Sequence, residues 1–282
     1  MSAETPAPRE RASTQTDPTR EEKAEYFKSL GLRMRPELKL LAEEPFRVGG
    51  VQAKKEGWFV AYRAIVQAAV AATLSDMIGL PADEKRVLTE AATLNEVMRR
   101  VQYARKPARE TTSADRAATD AEGREILLAR GVDPRAVAIT RSNDTMFTRE
   151  SETGRIAPKT PEEEETYRMQ RFLNYIHNCI DIKITTDADG HKTHAVDITD
   201  WRAHLTDAAK RYTEIAEEAE VVDGEKRTFF ELEADLMEKT EREIAERIRA
   251  AHPDRTDLDK KPLWQFLREE VMDDIRQGVH HW

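Results

Sequence analysis

The side chains able to do chemistry are few in this chain, and most sit where a structural role accounts for them. Cys179 is the single cysteine and lies in the apolar run NYIHNCIDI. A reactive thiolate needs an accessible, electropositive setting, so this thiol reads as a buried structural side chain. One cysteine forms no intrachain disulfide, which fits a reducing compartment. The turn Asp187-Ala188-Asp189-Gly190 offers carboxylates as a calcium loop does, but the later glutamate and the full ligand spacing are missing. His191 and His194 are three apart on a strand pattern, so they point to opposite faces and share no metal. Glu162 to Glu165 stand at a helix start, where carboxylates suit the positive end of the dipole. His280 and His281 suit adventitious metal only. No glycine-rich phosphate loop, serine elbow or zinc-spaced cysteine pair occurs.

Arg99, Arg100, Arg105, Lys106 and Arg109, with Tyr103 among them, form a basic stretch in an acidic chain. It has two readings. One is contact with RNA, DNA or an acidic partner. The other is a solvated helix end, where cations complement the dipole. The net charge of −9 argues against binding nucleic acid through bulk charge.

The elements that must carry these groups are mostly helical. Hydrophobic residues make up 39% and charged residues 35% of 282, with only 11 glycines, a composition of helices with solvated faces. Residues 1–20 have no apolar anchors and are expected to be a disordered tail. A helical segment interrupted by Pro36 covers 21–56, with a loop at Val48 to Val51. The main domain is expected over 57–225, with the helices of 226–282 packed on it. From Val60, apolar and alanine positions surround a helix that Gly79 stops; Val87, Leu88, Ala91, Leu94, Val97, Met98 and Val101 then share one face of a second helix. Residues 107–120 suggest a loop, GREILLAR a short helix closed by Gly131, and Asp133-Pro134 a cap and first turn. The one β signal is a hairpin around 182–196. Thr199 or Asp197 is the expected cap of the helix after it. Long amphipathic patterns follow at 229–248 and 263–275. The N-terminal stretch shows no apolar leader, and no run reaches the roughly 18–20 apolar residues that span a bilayer. A cytoplasmic protein is the expectation.

In this order, YRAIVQAAVAATLSDMIGL, AATLNEVMR, GREILLARGVDPRAVAITRSND and YIHNCI resemble the helices of HD-domain phosphohydrolases, over roughly residues 57 to 215. The resemblance implies an all-α, HD-domain-like helical bundle with one small β-hairpin. It also implies where the family's site falls. The first metal-binding His falls on Arg63 or Tyr62, the His-Asp pair on Asn95-Glu96, and the phosphate-contacting Lys on Arg99. The downstream His positions fall near Thr119 and Ser142–Asn143, and the last Asp on His177 or Asn178. Asparagine is a weak neutral ligand and arginine supplies none, so the metal that would activate water has too few ligands.

The resemblance therefore implies a pseudoenzyme without cofactor, serving as a binding or regulatory module. Two versions of its centre follow. Arg63 pairs with Glu96 as a structural salt bridge, or Arg63 and Arg99 hold a phosphate-bearing small molecule without cleaving it. An alternative is a divergent metal-dependent phosphohydrolase using Glu96, His177 and Asp181. Another is a helical interaction protein that assembles with a protein partner or a second copy through its C-terminal helices. No membrane partner is expected.

Overall fold

At the centre lies a helix buried on every side from Val66 to Ser75. The computed structural model describes residues 51–95, 113–140, 160–186, 192–211, 219–222 and 225–277. The tail, residues 21–50 of the N-terminal segment, the basic stretch and most of 148–161 fall outside the described residues.

The central helix, α1 (Val51–Met77), is apolar all round in its second half, as a helix enclosed by others must be. Its alanines at 68, 69, 71 and 72 let neighbours approach closely. It starts at Val51, where the sequence suggests a loop. Gln52, Ala53, Lys54, Lys55 and Glu56 are good helix formers, and they outweigh the roughly 1 kcal/mol that Gly57 costs inside a helix. Gly79 ends it at φ 69°, and Leu80 N donates to Ser75 O at 2.9 Å, the closing bond of a left-handed glycine cap.

Helix α2 (Ala82–Leu94) returns alongside α1, with Val87, Leu88, Ala91 and Leu94 buried as the pattern predicts. Helix α3 runs Ser113–Ala129, so residues 113–120 are helical and not the expected loop. Ala114, Ala117, Ala118 and Ala121 stand at i, i+3, i+4 and i+7 and favour helix by propensity, a signal that the polar residues between them outweigh when the stretch is read as a loop. The short α4 (Pro134–Ile139) takes Asp133 as its cap.

Helix α5 (Pro161–Cys179) begins on a capping box: Thr160 accepts from Glu163 N, and Glu163 accepts from Thr160 N. From Phe172 to Cys179 every residue is buried. The chain passes directly into β1 (Ile180–Thr186), antiparallel to β2 (Lys192–Ile198), with Ile180 opposite Ile198. Helix α6 (Trp201–Arg211) follows. Asp200, not Thr199 or Asp197, caps it by accepting from Arg202 N at 3.0 Å; Asp197 is instead held by Arg268 at 2.6 Å.

A second antiparallel pair, β3 (Ala219–Val222) and β4 (Glu225–Thr228), brackets Asp223-Gly224. Four-residue strands are too short to show alternation in the sequence. Thr228 and Glu231 form another capping box that opens α7 (Phe229–Ala251). Helix α8 is Leu263–Gln277.

The fold is all-α with small antiparallel hairpins. Ile244 and Ile248 of α7, and Phe266, Leu267 and Val271 of α8, belong to the same continuous core as Leu74, Leu88 and Phe172. Among the described residues no helix is long and apolar enough to cross a membrane.

Candidate functional site

Within that core, four polar side chains from three helices meet. Arg63 and Gln67 are one turn apart on α1, which puts them on one face. Asn95 directly follows the last residue of α2. His177 lies in the last turn of α5. His177 is 1% exposed, Gln67 0%, Asn95 3% and Arg63 8%.

Arg63 Nη2 donates to the main-chain oxygen of His177 at 2.8 Å and lies 3.3 Å from its ring Nε2. The carbonyls of a helix's last turn lack intrahelical donors and carry the negative end of the dipole. The guanidinium thus caps α5 while gripping the ring. On the other side of the imidazole, the Gln67 amide nitrogen is 3.0 Å from Nδ1 and the Asn95 amide nitrogen 3.4 Å.

A guanidinium only donates, so Nε2 accepts and the ring proton sits on Nδ1. An Nδ1–H requires an acceptor. The Gln67 amide supplies one when its oxygen faces the ring. Gln67 Oε1 has no partner in the opposite sense, so this orientation sacrifices no bond. In this arrangement the Nε2 lone pair is given to Arg63 and Nδ1 is a donor. The imidazole then has no free lone pair to bind metal or take a proton from a substrate.

Asn178, the next residue, belongs to a different group. Its amide donates to Glu233 Oε1 at 3.3 Å and to Asn174 O at 3.0 Å. Asn174 donates to the same Glu233 oxygen at 2.6 Å, and Met237 Sδ lies within 3.9 Å of both amides. Successive helix residues differ by about 100° in direction, so α5 turns His177 towards α1 and Asn178 towards α7. Of the two positions suggested for the family's last Asp, the structure brings His177, not Asn178, to Arg63. Near this seam His204 of α6 stands edge-on to His177, with ring centroids 6.1 Å apart.

Glu96 and Arg99 lie outside the described residues, and with them the expected Arg63–Glu96 pair. Asp181 stands opposite Asp197 in the β1–β2 register. Cys179 is fully buried, and burial pushes its thiol well above the usual range. Burial likewise raises Tyr175, whose hydroxyl donates to Glu241 at 3.2 Å, as does the Trp201 indole at 3.1 Å. Among the described residues no three His, Cys, Asp or Glu side chains are grouped as a metal site would need. Gln67 is the member that sequence reasoning misses. Its only signal is a lone amide inside the apolar run Ala64–Leu74.

Compared with protein-family models, with curated proteins and with solved structures, the chain matches none.

Proposed function

We propose that this chain is a non-catalytic binding or regulatory module on an HD-like helical bundle, with the Arg63 guanidinium standing where a hydrolase of that family holds its metal. One observation carries the reading: Arg63 lies 3.3 Å from His177 Nε2. A permanent cation at that distance opposes a metal ion on the same nitrogen by like charge. The same contact makes the buried centre a structural joint between α1, α2 and α5, its groups spent on one another. Any ligand of this module is then met at the surface.

Metal analysis of the untagged full-length protein, run beside a panel of phosphoester substrates, tests the proposal. Manganese, iron and zinc well below one equivalent, with no turnover above a buffer blank, is the expected outcome. Stoichiometric metal accompanied by turnover would overturn it and favour the divergent hydrolase.

A further inference from the structure

Away from the centre, three arginines gather where α5 meets α7. Arg171 donates to Glu243 Oε2 at 2.6 Å. Arg247, one turn along α7 from Glu243, reaches the other carboxylate oxygen through Nε at 3.2 Å. Arg168, one turn before Arg171, contacts Glu165 of its own helix. The Arg171 guanidinium stands over the Tyr167 ring at 5.3 Å and that of Arg247 over Phe172 at 5.8 Å. The side chains of Arg168, Arg171 and Arg247 keep 24%, 15% and 34% of their surface exposed. Each guanidinium is thus held by a carboxylate while part of its side chain stays exposed.

Two further features distinguish this face from ordinary surface ion pairs. Arg168 Nε and Arg171 Nε are buried donors without an acceptor, and a buried unmet donor is unfavourable. Burial, then the charge of Arg247, then that of Arg171 pull the Arg168 pKa below its usual value, against the opposing Glu243 and Glu84. Arg86, Arg135, Arg202, Arg255 and Arg268 are all shifted the other way. Even with Glu165, Glu243 and Glu84 close by, the environment of Arg168 disfavours its charge. An added anion would offset the part of this that comes from Arg247 and Arg171.

We propose that the Arg168–Arg171–Arg247 face is a binding subsite for a small phosphate-bearing molecule. Guanidinium forks match the oxygens of a phosphate and bind them with two parallel hydrogen bonds. The stacked rings limit the freedom that Arg171 and Arg247 lose on binding. The inference goes beyond the non-catalytic reading, and the buried centre plays no part in it.

Inorganic phosphate is the probe, titrated into full-length protein against chloride at equal ionic strength and followed by melting midpoint and by calorimetry. The expected result is a saturable upward shift of several degrees, lost in Arg168→Gln. Glu165→Gln, which frees Arg168 from its carboxylate, is expected to bind phosphate several-fold more tightly. A merely structural Arg168 would not produce that gain. No phosphate effect beyond chloride overturns the proposal. So does an equal shift in wild type and Arg168→Gln, or weaker binding in Glu165→Gln that melts as wild type does without phosphate.

Discussion

Arg63 Nη2 and the carbonyl of His177 are 2.8 Å apart across 114 residues of sequence. Through that bond and the 3.3 Å contact with the ring, one side chain fixes both the backbone and the rotamer of His177. Helices α1 and α5 also meet through apolar packing, but apolar packing tolerates small slips and a buried bonded pair does not. The polar joint ties the two helices together at one defined point.

The joint should behave as a coupled unit. In Arg63→Met, Nε2 of His177 loses a donor in a buried site and its carbonyl keeps the Ile180 N–H, at a cost of about 1–3 kcal/mol. His177→Leu removes the ring contact but leaves Arg63 its 2.8 Å bond to the main-chain oxygen at position 177, with a loss of about 1–3 kcal/mol. The double variant should lose clearly less than the two singles together, with a coupling of roughly 0.5–3 kcal/mol. Urea denaturation of the four proteins measures this. Strict additivity would mean that the two side chains do not depend on each other.

His177 should be found in the Nδ1–H tautomer. Long-range proton–nitrogen spectra of selectively labelled protein separate the two ring nitrogens. A proton on Nε2 would rule out donation from Arg63. Gln67→Leu keeps the size of the residue but removes the amide that faces Nδ1. It should destabilise by roughly 1–2 kcal/mol, with the Asn95 amide the next group within reach of Nδ1.

The joint also shows what a sequence can and cannot declare. The buried faces of α2 and α7 were legible, because Val87, Leu88, Ala91 and Leu94, or Leu232, Leu236, Ile244 and Ile248, repeat with the helical period. So were the stops at Gly79 and Gly131, whose φ values of 69° and 77° suit residues without a side chain. Residues 113–120 were read as a loop for their polar residues, although Ala114, Ala117, Ala118 and Ala121 repeat with the helical period. Gln67 was hidden for another reason. A glutamine in an apolar helix is ambiguous until its neighbour is known, and that neighbour, His177, is 110 residues away. His177 and Asn178 were alternatives for one position, and their different neighbours, Arg63 for one and Glu233 for the other, were hidden because a sequence identifies buried residues without saying which helix each one faces.

Acid should draw stability from the contact between α2 and α4. Arg86 bridges Asp83 at 2.9 Å and Asp133 at 2.8 Å, and Arg135 bridges the same two carboxylates at 2.6 and 2.9 Å. The Arg135 hydrogen bond is the main cause that holds each aspartate below the usual carboxylate range. A carboxyl whose folded pKa is lowered contributes stability above its unfolded pKa, about 3.9, and that contribution is lost as pH falls through the folded value. Wild type should therefore lose stability steadily below about pH 4. Asp133→Asn keeps a residue suited to the cap of α4 and removes the titrating charge, so its stability should fall less steeply over that range. Melting midpoints of both proteins across acid pH decide it. Parallel curves would show that the Arg–Asp network contributes nothing.

Cys179 offers a readout of how tightly the core closes. It is the last residue of α5, fully buried, and its carbonyl accepts from Thr199 N at 2.7 Å, which fastens the start of the hairpin. The thiolate is the nucleophile, and burial disfavours it here. An aromatic disulfide reagent must wait for the structure to open before it reacts. With a stability of even about 5 kcal/mol, labelling of native protein at neutral pH should be slower than that of the urea-unfolded chain by at least about a thousandfold. The His177→Leu variant should narrow that gap in proportion to the stability it loses, since its joint to α1 lies half a turn away on the same helix. Fast, stoichiometric labelling of folded wild type would show that the end of α5 opens on its own, and that Arg63 does not hold it.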